Sequence, residues 1–120
     1  GGKAVRLVDG DTTHPGDTLR FEVSCATPQH VAVLSVDGAG TISAYHPTGP
    51  RAERVEPGQH VVLDGAIELD DVLGRETLHA VFCSEAVAVD ELRAALERDR
   101  DAPHFADGCT SARMVLEKRR

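Results

Sequence analysis

The chain has 120 residues, the size of one domain, and its 41% hydrophobic content supplies one core but not two. Aromatic residues are 3% by the same count (Phe21, Tyr45, Phe82 and Phe105), so the core has to be built from Val, Leu, Ile and Ala, which favours sheet. The formal net charge of −7 argues against a nucleic-acid partner, since phosphate binding needs a basic surface.

No apolar run reaches the roughly 20 residues needed to span a bilayer, and no signal-peptide pattern is present, so no membrane contact is expected from this segment itself. The chain starts Gly1-Gly2 without Met. It therefore reads as a processed chain or a fragment of a longer protein, with residues 1–120 forming a single β-rich domain. Lys118, Arg119 and Arg120 read as a solvated end.

Residues 4–8 predict a first strand, followed by turns at Asp9-Gly10-Asp11 and His14-Pro15-Gly16-Asp17. From Thr18 to Cys25 the pattern has period two. Leu19, Phe21, Val23 and Cys25 share one face, and Thr18, Arg20, Glu22 and Ser24 share the other, as in a half-buried strand. Cys25 is then a small core residue rather than a reactive thiol.

Residues 30–36 are apolar on both faces and predict a central strand. The Asp37-Gly38 pair turns it into a return strand over 41–46, with Ile42 and Ala44 on one side and Tyr45 on the other. Residues 47–58, with three prolines and two glycines, predict a loop. A loop this long is either a mobile connector or a binding loop, in which case Pro47, Thr48, Arg51, Arg54 and Glu56 are its candidate contact residues.

His60–Leu63 and Ala66–Leu69 predict one kinked strand or two short ones, broken at Asp64-Gly65. Asp70-Asp71 and Gly74 end that region, and Thr77–Cys83 is a further strand. Over Val89–Arg98 the apolar residues Val89, Leu92 and Leu96 fall on one stripe with Ala95 beside it, acids occupy the first turn and Arg98 the last, which predicts a helix. A polar loop over 99–108 leads to a final strand, Cys109–Lys118.

Seven or eight short strands and one late helix predict a mainly β fold. The expected architecture is an antiparallel β-sandwich or partly open barrel, with the helix near residues 89–98 plugging one end.

Motifs that carry chemistry are missing. The six histidines (14, 30, 46, 60, 79 and 104) show no metal-ligand spacing. The acidic residues Asp64, Glu68, Asp70 and Asp71 lack the calcium-loop pattern and read as a solvated strand edge. There is no nucleophile elbow, P-loop or dinucleotide fingerprint, so no cofactor and no enzymatic activity are expected, and no residue is assigned a catalytic or metal-binding role. His79 and Cys83 could share a strand face but would lie about 13 Å apart at ~3.3 Å per residue.

Cys83 closes a strand before the helix and Cys109 opens the strand after it. Either they form a bridge that closes a helix-containing loop and pins the helix to the sheet, or both are free thiols in a reducing compartment.

Residues 14–47 (HPGDTLRFEVSCATPQHVAVLSVDGAGTISAYHP), residues 57–83 (PGQHVVLDGAIELDDVLGRETLHAVFC) and the ending GCTSARMVLEK resemble a β-rich domain of unknown function. That domain lies C-terminal in myxobacterial zinc-finger anti-sigma-like proteins, and related domains are appended to caspase-like peptidases and kinases. The resemblance covers most of the chain. It assigns no active-site residues, and the zinc-finger portion with its metal ligands is not in this sequence.

The resemblance implies an accessory or sensory module, the extracytoplasmic part of a transmembrane anti-sigma-like regulator, although composition alone leaves a cytoplasmic location open. An oxidising location would favour the Cys83–Cys109 bridge. The functional expectation is a non-catalytic sensory or protein-interaction module whose partner is another protein or a domain of the same parent chain. The alternative is a small-ligand or metal-binding β-sandwich.

Overall fold

A computed structural model describes residues 4–7, 12–13, 18–63, 67–68 and 72–118. In chain order the strands are β1 (Ala4–Leu7), β2 (Thr12–Thr13), β3 (Thr18–Leu19), β4 (Phe21–Cys25), β5 (Gln29–Val36), β6 (Ile42–His46), β7 (Glu53–Val55), β8 (Gly58–Val62), β9 (Ile67–Glu68) and β10 (Gly74–Cys83). Helix α1 (Val89–Arg98) and strand β11 (Cys109–Lys118) complete the chain. The predicted turns at 9–11 and 14–17, the Asp64-Gly65 break and the Asp70-Asp71 pair lie outside the described residues.

The fold is mainly β and antiparallel, as its composition predicts, and it does not close into a barrel. A small sheet of order β1-β4-β8 faces a larger one of order β2-β11-β10-β5-β6, in which β7 also pairs with β5. β3 and β9 form a separate two-stranded pair. β2 runs parallel to β11 over Glu117↔Thr12 and Lys118↔Thr13, so the pairing is not antiparallel throughout. The described residues form eleven strand elements against the seven or eight expected, because Thr18–Cys25 divides and the short strands β2 and β7 form in segments read as connections.

β10 and β5 explain the layering. They are adjacent, with Val81 opposite Ala32 and Ala80 opposite Val33. Their alternate residues enter two different cores. Leu78, Ala80, Phe82, Val31 and Val33 pack between the sheets against Phe21, Val23, Cys25 and Leu63. Val81, Cys83, Ala32 and Leu34 pack outward against Leu92, Ala95, Leu96 and Phe105. A central strand covered on both faces is what the unbroken apolar runs required.

The helix has the predicted bounds but a different position. It lies across the outer face of the large sheet rather than plugging an end, because its single apolar stripe matches the second core. Arg93 Nη1 donates to the carbonyl of Ile42 on β6 at 2.8 Å, fixing it over that edge.

Three other expectations change, and one left open is decided. Thr18–Cys25 is two strands: β3 pairs with β9, and β4 with β1 and β8, the chain changing partners at the exposed Arg20. Glu22, expected on a solvated face, is buried. Of the two readings open for 60–69, the structure has two short strands, which take different partners, β8 on β4 and β9 on β3. β10 starts at Gly74 rather than Thr77, since β11 is long enough to pair with it from Lys118 back to Cys109.

Candidate functional site

The segment 47–58 is not a free loop. After the cis His46–Pro47 bond it runs along the N-terminal end of α1. Ala52 N donates to Val87 O and Val89 N to Pro50 O, both at 2.9 Å, and Arg51 Nη1 donates to Ala86 O at 3.0 Å. Ala88, the N-cap residue, has no side-chain acceptor, so the Pro50 carbonyl takes up one of the helix's unpaired N–H groups. The chain then forms β7, with Val55 opposite Gln29, Arg54 opposite His30 and Glu53 opposite Val31. It crosses next to β8 in the other sheet. The prolines and glycines that signal a loop mark the corners of this crossing instead.

The crossing creates a cleft of about 230 Å³ at the seam between the sheets, lined by His46, Glu53, Arg54, Val55, Glu56, Val61 and Leu63. Val55 and Leu63 belong to the inter-sheet core and Val61 packs against it, so the floor is apolar and firmly held. The rim is charged. Arg54 Nε lies 2.8 Å from Glu56 Oε1, and this contact raises the Arg54 pKa, first through the hydrogen bond and then through the charge of Glu56. Glu53 Oε2 lies 3.5 Å from His46 Nε2, with the Glu53 side chain 50% exposed and that of His46 6% exposed.

A β-bulge aims His46. Leu34 pairs with Ala44 but Val33 pairs with His46, so β6 spends two steps on one step of β5. The extra residue, Tyr45, turns His46 from the helix side of the sheet to the inter-sheet side.

Of the five candidate loop residues, the cleft takes in Arg54 and Glu56. Thr48 is exposed and Pro47 is buried at the corner. Arg51 is engaged with the helix approach. The sequence reading missed His46, Glu53, Val55, Val61 and Leu63. Val61 lies on β8 in the other sheet and Leu63 just after its end, and only the crossover brings them near.

Cys83 and Cys109 form a disulfide (S–S 2.06 Å) between residues directly opposite each other on β10 and β11. It clamps the base of the excursion that carries α1, so Cys83 offers no thiol to His79. Cys25 is free and buried, its Sγ 3.7 Å from Glu56 O. His79 is 2% exposed under Phe105, with ring centroids 5.9 Å apart. Burial, and secondarily the charge of Arg113, lower its pKa. Among the described residues no three His, Cys, Asp or Glu side chains converge as a metal site would need. No helix among them is long and apolar enough to cross a membrane.

Fold and site together define a small, disulfide-clamped β-sandwich with one covering helix and a side-chain-sized cleft at the seam. In comparisons with known proteins, no family model, curated protein or solved structure matches this chain.

Proposed function

We propose that this domain is a non-catalytic protein-interaction or sensory module that binds another protein, or a domain of its own parent chain, through the seam cleft. The cleft itself carries this reading. An apolar floor rooted in the core and a rim of charged side chains are held on a segment tied down at both ends, so the surface is organised before a partner arrives.

The size of the cleft favours this over a small-ligand sandwich. Small-molecule sites usually span about 300–1,000 Å³, more than the 230 Å³ present here. The non-catalytic reading is supported by the state of the candidate reactive groups: Cys83 is bonded to Cys109, Cys25 is buried and His79 is sealed under an aromatic ring. The disulfide is also consistent with the extracytoplasmic part of a transmembrane anti-sigma-like regulator, because such bonds persist in oxidising compartments.

Peptides selected by display against the oxidised domain should perturb the backbone amide resonances of residues 53–56, 61 and 63. Binders that map only to other surfaces, or reproducible turnover abolished by changing one histidine, would overturn the proposal.

A further inference from the structure

We infer that the seam cleft receives the side chain of an arginine presented by the partner protein, an assignment that rests on the interaction reading above. Three observations converge on a guanidinium carried by an aliphatic stem.

The space is on the scale of one long side chain, at about 230 Å³. Its floor of Val55, Val61 and Leu63 suits methylene groups. At the rim, Glu53 and Glu56 carry two negative charges against the one positive charge of Arg54, a net formal charge of −1 for these three side chains. The whole chain carries −7, so the long-range field draws a cation toward it and repels an anion.

Two objections are answered by the geometry. Arg54 could recruit a carboxylate, but its Nε is already held by Glu56 at 2.8 Å. That pair engages only Oε1 of the exposed Glu56 carboxylate, so its other oxygen can accept from an incoming cation while Arg54 stays paired. Glu53 is more firmly placed, since β7 is paired with β5 and the buried His46 ring lies beside its carboxylate. Lysine also offers a stem and a charge. A guanidinium, however, is less strongly hydrated than an ammonium and meets a carboxylate through two parallel N–H donors, so it loses less on entering a half-buried cleft.

The test uses the oxidised, isotopically labelled chain and four capped tripeptides with a central arginine, citrulline, lysine or glutamate. Citrulline keeps the shape of arginine without its charge. The arginine peptide should move the amide signals of residues 53–56 and 61 in a saturable way. The citrulline and lysine peptides should each bind at least tenfold more weakly, and the glutamate peptide should leave those signals in place. Glu53→Gln should weaken the arginine peptide about tenfold and leave the citrulline peptide unchanged, with its own dispersed spectrum showing that the fold persists.

Equal binding of arginine and citrulline, equal binding of arginine and lysine, preference for the glutamate peptide, or no cleft shift with any of them would overturn the assignment. If display-selected peptides still mapped to the cleft after such a result, the interaction reading would stand and only the arginine would be lost.

Discussion

Glu76 is fully buried between the two sheets, where period-two reading of β10 would put an aliphatic residue. Its Oε2 accepts a hydrogen bond from the Tyr45 hydroxyl at 2.5 Å, and the Tyr45 ring packs against Phe21 with centroids 6.3 Å apart. A carboxyl group in such a place is tolerable only with its hydrogen bonds made. Tyr45→Phe should therefore lower unfolding stability by about 1–3 kcal/mol, as read from urea denaturation. An unchanged midpoint would show that the hydroxyl contributes little to holding Glu76.

His79 faces the other core, and its Nε2 has no hydrogen-bond partner among the described residues. Its folded pKa lies below the ordinary value of 6.5, so the unfolded chain takes up its proton first as pH falls. The stability that depends on neutral His79 is complete above about 6.5 and declines as pH drops from there toward the folded value. His79→Leu should flatten that part of the stability–pH curve. A slope identical to the wild type would rule out His79 as its source.

Strands and turns were legible where local pattern decides them. The Asp37-Gly38 hairpin forms as predicted, with the Asp37 carboxylate accepting from Ala39 N and Thr41 N at 2.9 Å and Gly40 adopting φ of 84°. Gly38 is held by space rather than by torsion, because a Cβ there would lie 2.6 Å from the Leu73 carbonyl oxygen. The helix kept its predicted ends because its stripe and end charges agree. The strand inside 47–58 was missed for a physical reason. A three-residue strand such as β7 has too few residues to show a period, and its existence depends on β5 offering a free edge at Gln29–Val31.

The pairing of Cys83 with Cys109 was one of two readings open from sequence, and the β10–β11 register brings them face to face. Their sequence separation of 26 implies about 3–4 kcal/mol of stabilisation from loop closure. Reduction of the native protein, or the pair Cys83→Ala with Cys109→Ala, should lower stability by that order in urea titrations. A loss well under about 1 kcal/mol would mean that the β10–β11 ladder alone holds the helical excursion.

At the scale of the molecule, the two cores are the two faces of one sheet. β5 and β10 contribute to both, so the small sheet and the helix have no independent support. The layers should unfold together. Tyr45 is the sole tyrosine and there is no tryptophan, so tyrosine fluorescence reports the inter-sheet side while far-UV dichroism at helical wavelengths reports α1. Coincident urea transitions are expected. Loss of the helical signal before the fluorescence change would show that the outer layer is a separate cooperative unit.

By itself the sequence determined that the chain is mainly β, that the 30–36 and 77–83 runs lie at the centre, where the helix begins and ends, and that Cys25 is a core residue. Each follows from side-chain period and turn chemistry, which act over a few neighbouring residues. Tertiary structure alone decided which strands pair, where β6 bulges, which face the helix covers and that a cleft opens beside His46. Those outcomes depend on contacts between segments far apart in the chain, where the free energy of burying two surfaces together outweighs what either segment prefers locally.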